Sequence, residues 1–234
     1  MKLEAFKILH DMEESWWYRG RRMVASKLLS KFIKERNLEI LDFGSGYGGM
    51  FDFLKEYGTV DGFEVETEAI SSCEKRGYKK VFSSTSEFFN SDKKYDLVVM
   101  FDVLEHIEDD KATINSLYGI LNKNKTLVIT VPAFMWLWSI HDEQHKHFRR
   151  YSRKQIVNLL KNSGFEVEYS SYWNMFLFLP AMVVRLLGFT GTSTFNKSGI
   201  TSSIFSFLVY LESKLVPLFS LPFGTGIVVV ARKK

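Results

Sequence analysis

The sequence predicts an α/β domain whose parallel sheet is covered by helices on both faces. Short apolar strands alternate regularly with segments of helical spacing, the pattern of successive βα units. The first strand, Leu38-Glu39-Ile40-Leu41-Asp42-Phe43, ends near an acid and breaks at once into the glycine-rich turn Gly44-Ser45-Gly46-Tyr47-Gly48-Gly49. Acids recur at predicted strand ends, at Asp42, Glu64 and Asp102, where an open parallel sheet builds its site.

The elements follow in order. Residues 2–15 and 21–36 have helical spacing, and the second carries Met23, Leu28, Leu29, Phe32 and Ile33 as an apolar stripe. Strands are expected at 38–43, 58–63, 79–83, 95–101 and 125–131, with helices at 48–56, 66–76, 109–121 and 152–163. Gly164-Phe165-Glu166-Val167-Glu168-Tyr169 opens a sixth strand, and Gly226 to Ala231 makes the final one. Between them, residues 172–223 are unusually rich in Phe, Leu and Val. Tyr172 to Phe189 is as long as a membrane span needs to be, yet Pro180 and Arg185 interrupt it, and Glu212 and Lys214 interrupt the second apolar stretch. A packed helical cap or a homodimer face is therefore expected, and a peripheral surface touching membrane or a lipid-linked acceptor is the alternative.

Composition bounds the remaining choices. The 234 residues are 46% hydrophobic and 25% charged, which suits one globular domain with a sizeable core. That domain divides into an N-terminal helical segment at 1–37, a core at 38–171 and 224–234, and the apolar insertion at 172–223. A net charge of +4 with dispersed basic residues gives no strong nucleic-acid signal. Cys73 is the single cysteine, so no internal disulfide forms and a reducing compartment is expected. The N-terminus has no apolar stretch of the secretory kind, which points to a cytoplasmic protein.

The glycine turn implies a nucleotide-type cofactor, because glycines allow tight turning and close approach of backbone to ligand. Gly44, Gly46 and Gly49 formally satisfy the dinucleotide pattern GxGxxG. Two features oppose a dinucleotide. Asp42 would repel a pyrophosphate but attract the ammonium of an amino-acid-like ligand, and a second pattern, GxGxG, runs through Gly44, Gly46 and Gly48.

At this point the chain resembles the class I S-adenosyl-L-methionine-dependent methyltransferases. Ile40 to Gly48 resembles their first motif, and Thr59 to Glu64 a second strand closing on an acid about 20 residues later, where a carboxylate can accept ribose hydroxyls. Tyr95 to His106 resembles the fourth-strand motif and Leu121 to Pro132 the fifth strand. A bacterial small-molecule subgroup is similar further out, at Trp16-Trp17-Tyr18-Arg19 and at His141-Asp142 followed by His147-Phe148-Arg149-Arg150-Tyr151. The resemblance implies a Rossmann-like, seven-stranded, mostly parallel sheet whose last strand inserts antiparallel between the fifth and sixth. It also implies S-adenosyl-L-methionine as methyl donor and S-adenosyl-L-homocysteine as product.

Site residues follow from these motifs. Asp42, Gly44, Ser45, Gly46 and Gly48 are expected to hold the methionine end, and Glu64 the ribose, with Asp61 and Glu66 as rivals. Ser84 stands where the family often places an acid on adenine, and Phe101 and Asp102 are expected to line the pocket. His106, His141, Asp142 and His145 are the acid-base candidates, because histidine titrates near neutral pH and a carboxylate orients it. His147 with Arg149 and Arg150 also fits a loop that pins the cap to the sheet. Trp16, Trp17, Tyr18 and Arg22, together with Arg149 and Tyr151, are expected to close over cofactor or substrate through stacking and cation attraction. Asp102-x-x-Glu105-His106, with His141 or His145, has the ligand types of a divalent metal site, similar to the Glu-x-x-Glu-His pattern of small-RNA 3′-end ribose methyltransferases. Asp stands in place of the first Glu, and no metal is assigned. O-methylation of a small molecule with a histidine base is the expected function. The rivals are a metal-dependent RNA methyltransferase and a catalytically degenerate binding protein.

Overall fold

The computed structural model describes residues 16–186 and 200–234, so the helix expected at 2–15 lies outside the described residues. Helix α1 (Trp16–Phe32) precedes β1 (Leu38–Phe43), α2 (Phe51–Leu54), β2 (Gly58–Phe63), α3 (Thr67–Arg76), β3 (Val81–Phe82), α4 (Thr85–Phe89) and β4 (Tyr95–Phe101). There follow a 3₁₀ turn (Leu104–His106), α5 (Asp110–Ile120), β5 (Leu121–Pro132), a second 3₁₀ turn (Met135–Leu137), α6 (Ile140–Gln144), α7 (Arg153–Asn162) and β6 (Phe165–Trp173). Helices α8 (Phe178–Leu186) and α9 (Ile200–Leu215) form the insertion, and β7 (Gly226–Lys233) closes the fold.

The strands form one seven-stranded sheet in the order β3-β2-β1-β4-β5-β7-β6. Strands β1 to β5 pair in parallel, and β7 runs antiparallel between β5 and β6. Val98, Val99 and Met100 of β4, Leu127, Val128 and Ile129 of β5, and Ile227 to Val230 of β7 are fully buried. Continuous apolar runs of this kind fit strands covered on both faces. The order reverses at β1, with β2 on one side and β4 on the other, which opens a crevice at their carboxyl ends.

Several boundaries differ from those expected. Instead of a helix over 48–56, α2 occupies only Phe51–Leu54, because Gly44, Gly46 and Gly48 all take positive φ and keep the chain in turns up to Met50. Helix α1 is already formed at Trp16, the first described residue, and stops at Phe32, and β5 starts at Leu121. Strand β6 continues through Tyr172 and Trp173, which pair with Ile227 and Gly226, so those two residues belong to the sheet and not to the insertion. Helix α4 was not anticipated; the Ser84 hydroxyl caps it by accepting from the Glu87 N–H.

The insertion packs in two directions. Its α9 lies on α1, where a Cβ on Gly20 would come within 2.3 Å of Val209 Cγ1, so only glycine allows the approach. Its α8 joins an aromatic group at the carboxyl ends of β5 and β6, where Phe134 stacks on Tyr172 (5.0 Å) and Phe178 meets Trp136 (5.9 Å) and Phe223 (5.2 Å). On α9, Val209, Glu212 and Ser213 are buried, as is Val216 just after it, while Ile204, Phe207, Tyr210 and Leu211 are exposed. No helix of the described residues is long and apolar enough to cross a membrane.

Glu212 joins the two parts of the insertion. Its buried carboxylate accepts the backbone N–H groups of Asn174, Met175 (2.7 Å) and Phe176 (3.2 Å), holding the turn between β6 and α8. Replacing Glu212 by Ala strands these donors and is expected to lower stability by about 3 kcal/mol, read from urea unfolding. A loss below about 1 kcal/mol would show that other contacts hold the turn.

Candidate cofactor and acceptor site

The glycine turn is tied to the end of β2. The N–H groups of Gly44 (2.9 Å) and Ser45 (3.1 Å) both donate to the Phe63 carbonyl. At Gly44 a Cβ would lie 2.3 Å from Val103, so the turn passes directly against the exit of β4. At Gly46, φ is +53° and a Cβ would meet nothing within 4 Å, so the backbone there faces open space. Glu64 reaches this spot: its Oε2 accepts from Gly46 N (2.8 Å), and its Oε1 accepts from Val65 N (2.7 Å) and Glu66 N (3.0 Å). Three backbone donors hold the carboxylate while leaving it acceptor capacity. The rival Asp61 is buried on the other side of β2, where Lys93 (2.5 Å) and Tyr95 (3.0 Å) take up one of its oxygens. Glu66 is exposed and makes no capping bond to α3.

Asp42 is 2% exposed at the end of β1 and accepts a 2.6 Å hydrogen bond from Tyr78 Oη. Burial raises its pKa from 3.8 to about 6, against the Tyr78 hydrogen bond and the charge of Arg21, with Glu64 adding to the rise. Arg21 is the residue that sequence reasoning under-ranked. Its Nη1 donates to Asp102 Oδ2 (3.0 Å) and to the Phe101 carbonyl (3.3 Å), its guanidinium lies over the Tyr18 ring (4.8 Å), and its buried Nε has no partner among the described residues. Arg22, the expected lid residue, is the next residue on α1, and its charge contributes at Asp52, which lies on α2. The helical phase of α1 makes this choice, and a run of arginines does not reveal it. Trp16 and Trp17 occupy the first turn of α1, and their side chains lie outside the described residues.

Asp102 has φ +54°, and its second oxygen accepts from Thr130 Oγ1 (2.8 Å). The carboxylate therefore bridges α1 and β5 at the mouth of the crevice. Phe101 is buried beside it. Two expected cofactor contacts are drawn into structure instead. Ser45 is buried with its hydroxyl 3.4 Å from Cys73 Sγ, and Ser84 caps α4. Cys73 is inert as a nucleophile, since burial pushes its thiol up to about 11.

The four described histidines gather beyond the end of β4. The rings of His106 and His147 lie 4.5 Å apart, those of His141 and His145 4.2 Å, and His145 and His147 6.1 Å. Asp142, an expected member of the acid-base group, pairs with His147 Nδ1 (2.9 Å) and with Arg150 (2.7 Å). Burial pushes Asp142 up, but the bonds from His147 and Arg150 prevail and hold it well below the usual carboxylate range. Burial, followed by the charge of His147, lowers both His106 and His145. Arg149 and Tyr151, expected over the substrate, instead latch this segment to α5: Arg149 pairs with Asp110 (2.9 Å) and Tyr151 donates to it (2.8 Å). The sequence allowed a pinning loop at His147, Arg149 and Arg150, but not its partners Asp110 and Asp142, because those depend on how the chain returns from α6.

The seven-stranded sheet with its antiparallel β7 and the loop-and-acid constellation at the reversal of strand order define the class I S-adenosylmethionine-dependent methyltransferase fold. A methyltransferase-domain family matches residues 16–170, and the chain belongs to it. Among its relatives, an uncharacterized protein of Methanocaldococcus jannaschii is 27% identical over 158 residues, covering 67% of this chain and 66% of that one. A ubiquinone biosynthesis O-methyltransferase of Rickettsia felis is 32% identical over 113 residues, covering 46% of each chain. The chain thus spans about half to two thirds of the length of these relatives. The plantazolicin methyltransferase BamL, solved with a substrate analogue and S-adenosylhomocysteine, superposes with a TM-score of 0.62 at 16% identity, covering 100% of this chain and 91% of that one.

The environment of Asp42 makes a pH prediction. Its folded pKa lies above its ordinary value, so its contribution to stability is complete below about 3.8 and is lost as pH rises through about 6. Carboxyl NMR should show a midpoint near 6 for this residue. Tyr78→Phe removes the bond that favours the charged form and should move the midpoint upward. An unmoved midpoint would show that Tyr78 does not govern this charge.

Proposed function

We propose that this protein transfers a methyl group from S-adenosylmethionine to an oxygen of a small-molecule acceptor. The observation that carries the reading is the arrangement at the β1–β4 crevice. Buried Asp42 underlies the glycine turn, Gly46 faces open space, and Glu64 and Arg21 flank it. In this reading the Asp42 charge attracts the methionine ammonium, Arg21 with its unpaired Nε takes the carboxylate, and Glu64 shares its oxygens between backbone and ribose hydroxyls.

Transfer is an in-line displacement. The acceptor oxygen forms a bond to the methyl carbon while the carbon–sulfur bond breaks and its electron pair stays on sulfur. The enzyme contributes by aligning the three atoms and by taking the acceptor proton. His145, exposed beside His141 and with a pKa lowered by burial of its ring and the charge of His147, is the proposed base. The aromatic group of Phe134, Trp136, Tyr172, Phe178 and Phe223 suits a flat, apolar acceptor. An O-methyltransferase among the relatives supports oxygen as the receiving atom. The exposed Ile204, Phe207, Tyr210 and Leu211 support contact of α9 with a lipid surface or a second copy, and the single cysteine supports a cytoplasmic setting.

Titration calorimetry with S-adenosylhomocysteine tests the cofactor half. Glu64→Ala should weaken binding by about 1.5–3 kcal/mol, the value of hydrogen bonds to a charged group. Unchanged affinity would remove Glu64 from the ribose role. Affinity should also rise as pH passes upward through about 6, where Asp42 becomes charged, and Asp42→Asn should flatten that dependence. A pH profile that persists in Asp42→Asn would assign it to another group. On the acceptor side, His145→Ala should lower turnover at least tenfold while leaving S-adenosylhomocysteine affinity unchanged. Parallel loss of both would give His145 a structural role.

A further inference from the structure

We propose that Glu105, His106 and His147 form a binding site for a divalent transition-metal ion, with its open side toward the acceptor. One potential donor atom from each of the three lies within 4.8 Å of the others. The backbone brings them together from separate segments: Phe148 N donates to the Glu105 carbonyl (2.7 Å), and His147 N donates to the Asp142 carbonyl (2.9 Å). Lys146, in the left-handed region at φ +55°, turns the chain so that His147 faces the Glu105–His106 pair. The grouping differs from the one suggested by the order of residues along the chain. Asp102 is withheld by Arg21 and Thr130, and His147 takes the place sought for His141 or His145.

Two observations point to a cation in this cluster. The first is Glu105, which is 1% exposed and whose buried Oε2 has no hydrogen-bond partner among the described residues. A carboxylate oxygen left without a partner in that setting is costly as an anion. A coordinated cation removes that cost by direct neutralisation. The second is the way the imidazoles are oriented. Asp142 accepts only, so His147 Nδ1 donates to it, and Nε2 is the ring atom left to bind an ion once its own proton is displaced. Arg150 (2.7 Å) and Ser139 N (2.9 Å) hold Asp142 in turn. The backbone of His145 bonds the His106 ring in a similar way, and both rings meet at 4.5 Å. A carboxylate or carbonyl behind each imidazole is the outer arrangement that orients metal-binding histidines and raises their basicity.

Two imidazoles and one carboxylate suit zinc, cobalt, manganese or iron better than magnesium, which prefers an all-oxygen shell. His106 is exposed, so the remaining coordination positions open outward. The role of the ion in the reaction rests on the oxygen-methylation reading above; its binding does not. An acceptor hydroxyl coordinated there would be more acidic, and its proton would pass to His145, whose ring lies 6.1 Å from that of His147. The oxygen would then attack the methyl carbon as already described.

The full chain, stripped with a chelator and exchanged into metal-free buffer, is titrated with Zn²⁺, Co²⁺, Mn²⁺ and Mg²⁺ by calorimetry, and the Co²⁺ complex is followed by its visible spectrum. One ion per chain is expected, with Co²⁺ and Zn²⁺ favoured over Mg²⁺. Glu105→Gln, His106→Ala and His147→Ala should each weaken binding at least tenfold. Asp142→Asn should weaken it by about 10–100-fold, the range for an outer-shell partner, and exposed Glu143→Gln should leave it unchanged. Each variant is checked for folding by circular dichroism and for S-adenosylhomocysteine affinity, so a variant that fails to fold does not count as a ligand. Absence of binding, or binding indifferent to all three substitutions in folded protein, overturns the proposal. Metal binding without S-adenosylhomocysteine binding would overturn the methyl-transfer reading alone. The reverse would overturn only the metal site.

Discussion

Asp42 stands near the end of β1 with 2% exposure, and the groups that govern its charge come from elements far apart in the chain. Tyr78 follows α3, Arg21 lies on α1 and Glu64 ends β2, and each acts on Asp42 by a hydrogen bond or by its charge. The same arginine then holds Asp102 at the exit of β4, and Asp102 holds Thr130 on β5. A line of alternating polar partners therefore crosses α1, β1, β4 and β5 at one level of the sheet. Low local dielectric makes such a line strongly directional when every member is satisfied and costly when one is removed. The buried, unpaired Nε of Arg21 is the point where the line remains open to an added acceptor.

The histidine cluster, the proposed acceptor side, is organised by a separate set of bonds. Arg149 and Tyr151 converge on Asp110, Phe148 is tied to the Glu105 backbone, and Arg150 reaches Asp142 and the Ala133 carbonyl (3.2 Å). Side chains with the chemistry of substrate contacts thus serve to place the histidines. Positioning of this kind has direct chemical value, because displacement at a methyl group depends on alignment to within fractions of an ångström. The proposed cofactor and acceptor halves adjoin at Asp102 and Glu105, which lie three residues apart and have opposite environments. Asp102 is paired on both oxygens, whereas Glu105 keeps an oxygen unpaired.

The apolar insertion contributes to both halves. Through α9 it covers α1, the helix that carries Arg21, and through α8 it extends the aromatic group at the ends of β5 and β6. Glu212, which in sequence argued against a bilayer span, is buried in the structure as the acceptor for the turn that separates these two roles. Its charge serves the backbone and not the solvent.

The sequence by itself determined what short-range patterns encode. Alternating apolar runs and helical spacing specified the α/β class, the glycines specified a tight turn after β1, and Asp42, Glu64 and Asp102 fell at or just past strand ends as read. The position of β7 between β5 and β6 followed from resemblance, since pairing between strands separated by a long insertion leaves no local signal. The tertiary structure alone decided which of several similar residues faces the site. Helical phase selected Arg21 over Arg22, the face of β2 sent Asp61 to Lys93 and Glu64 to the glycine turn, and the left-handed turn at Lys146 gave His147, instead of His141 or His145, to Asp142. Residue type and spacing name the chemistry available to a segment. Only packing sets the direction of each side chain, because a rotation of one residue in a helix or strand carries a charge to another face.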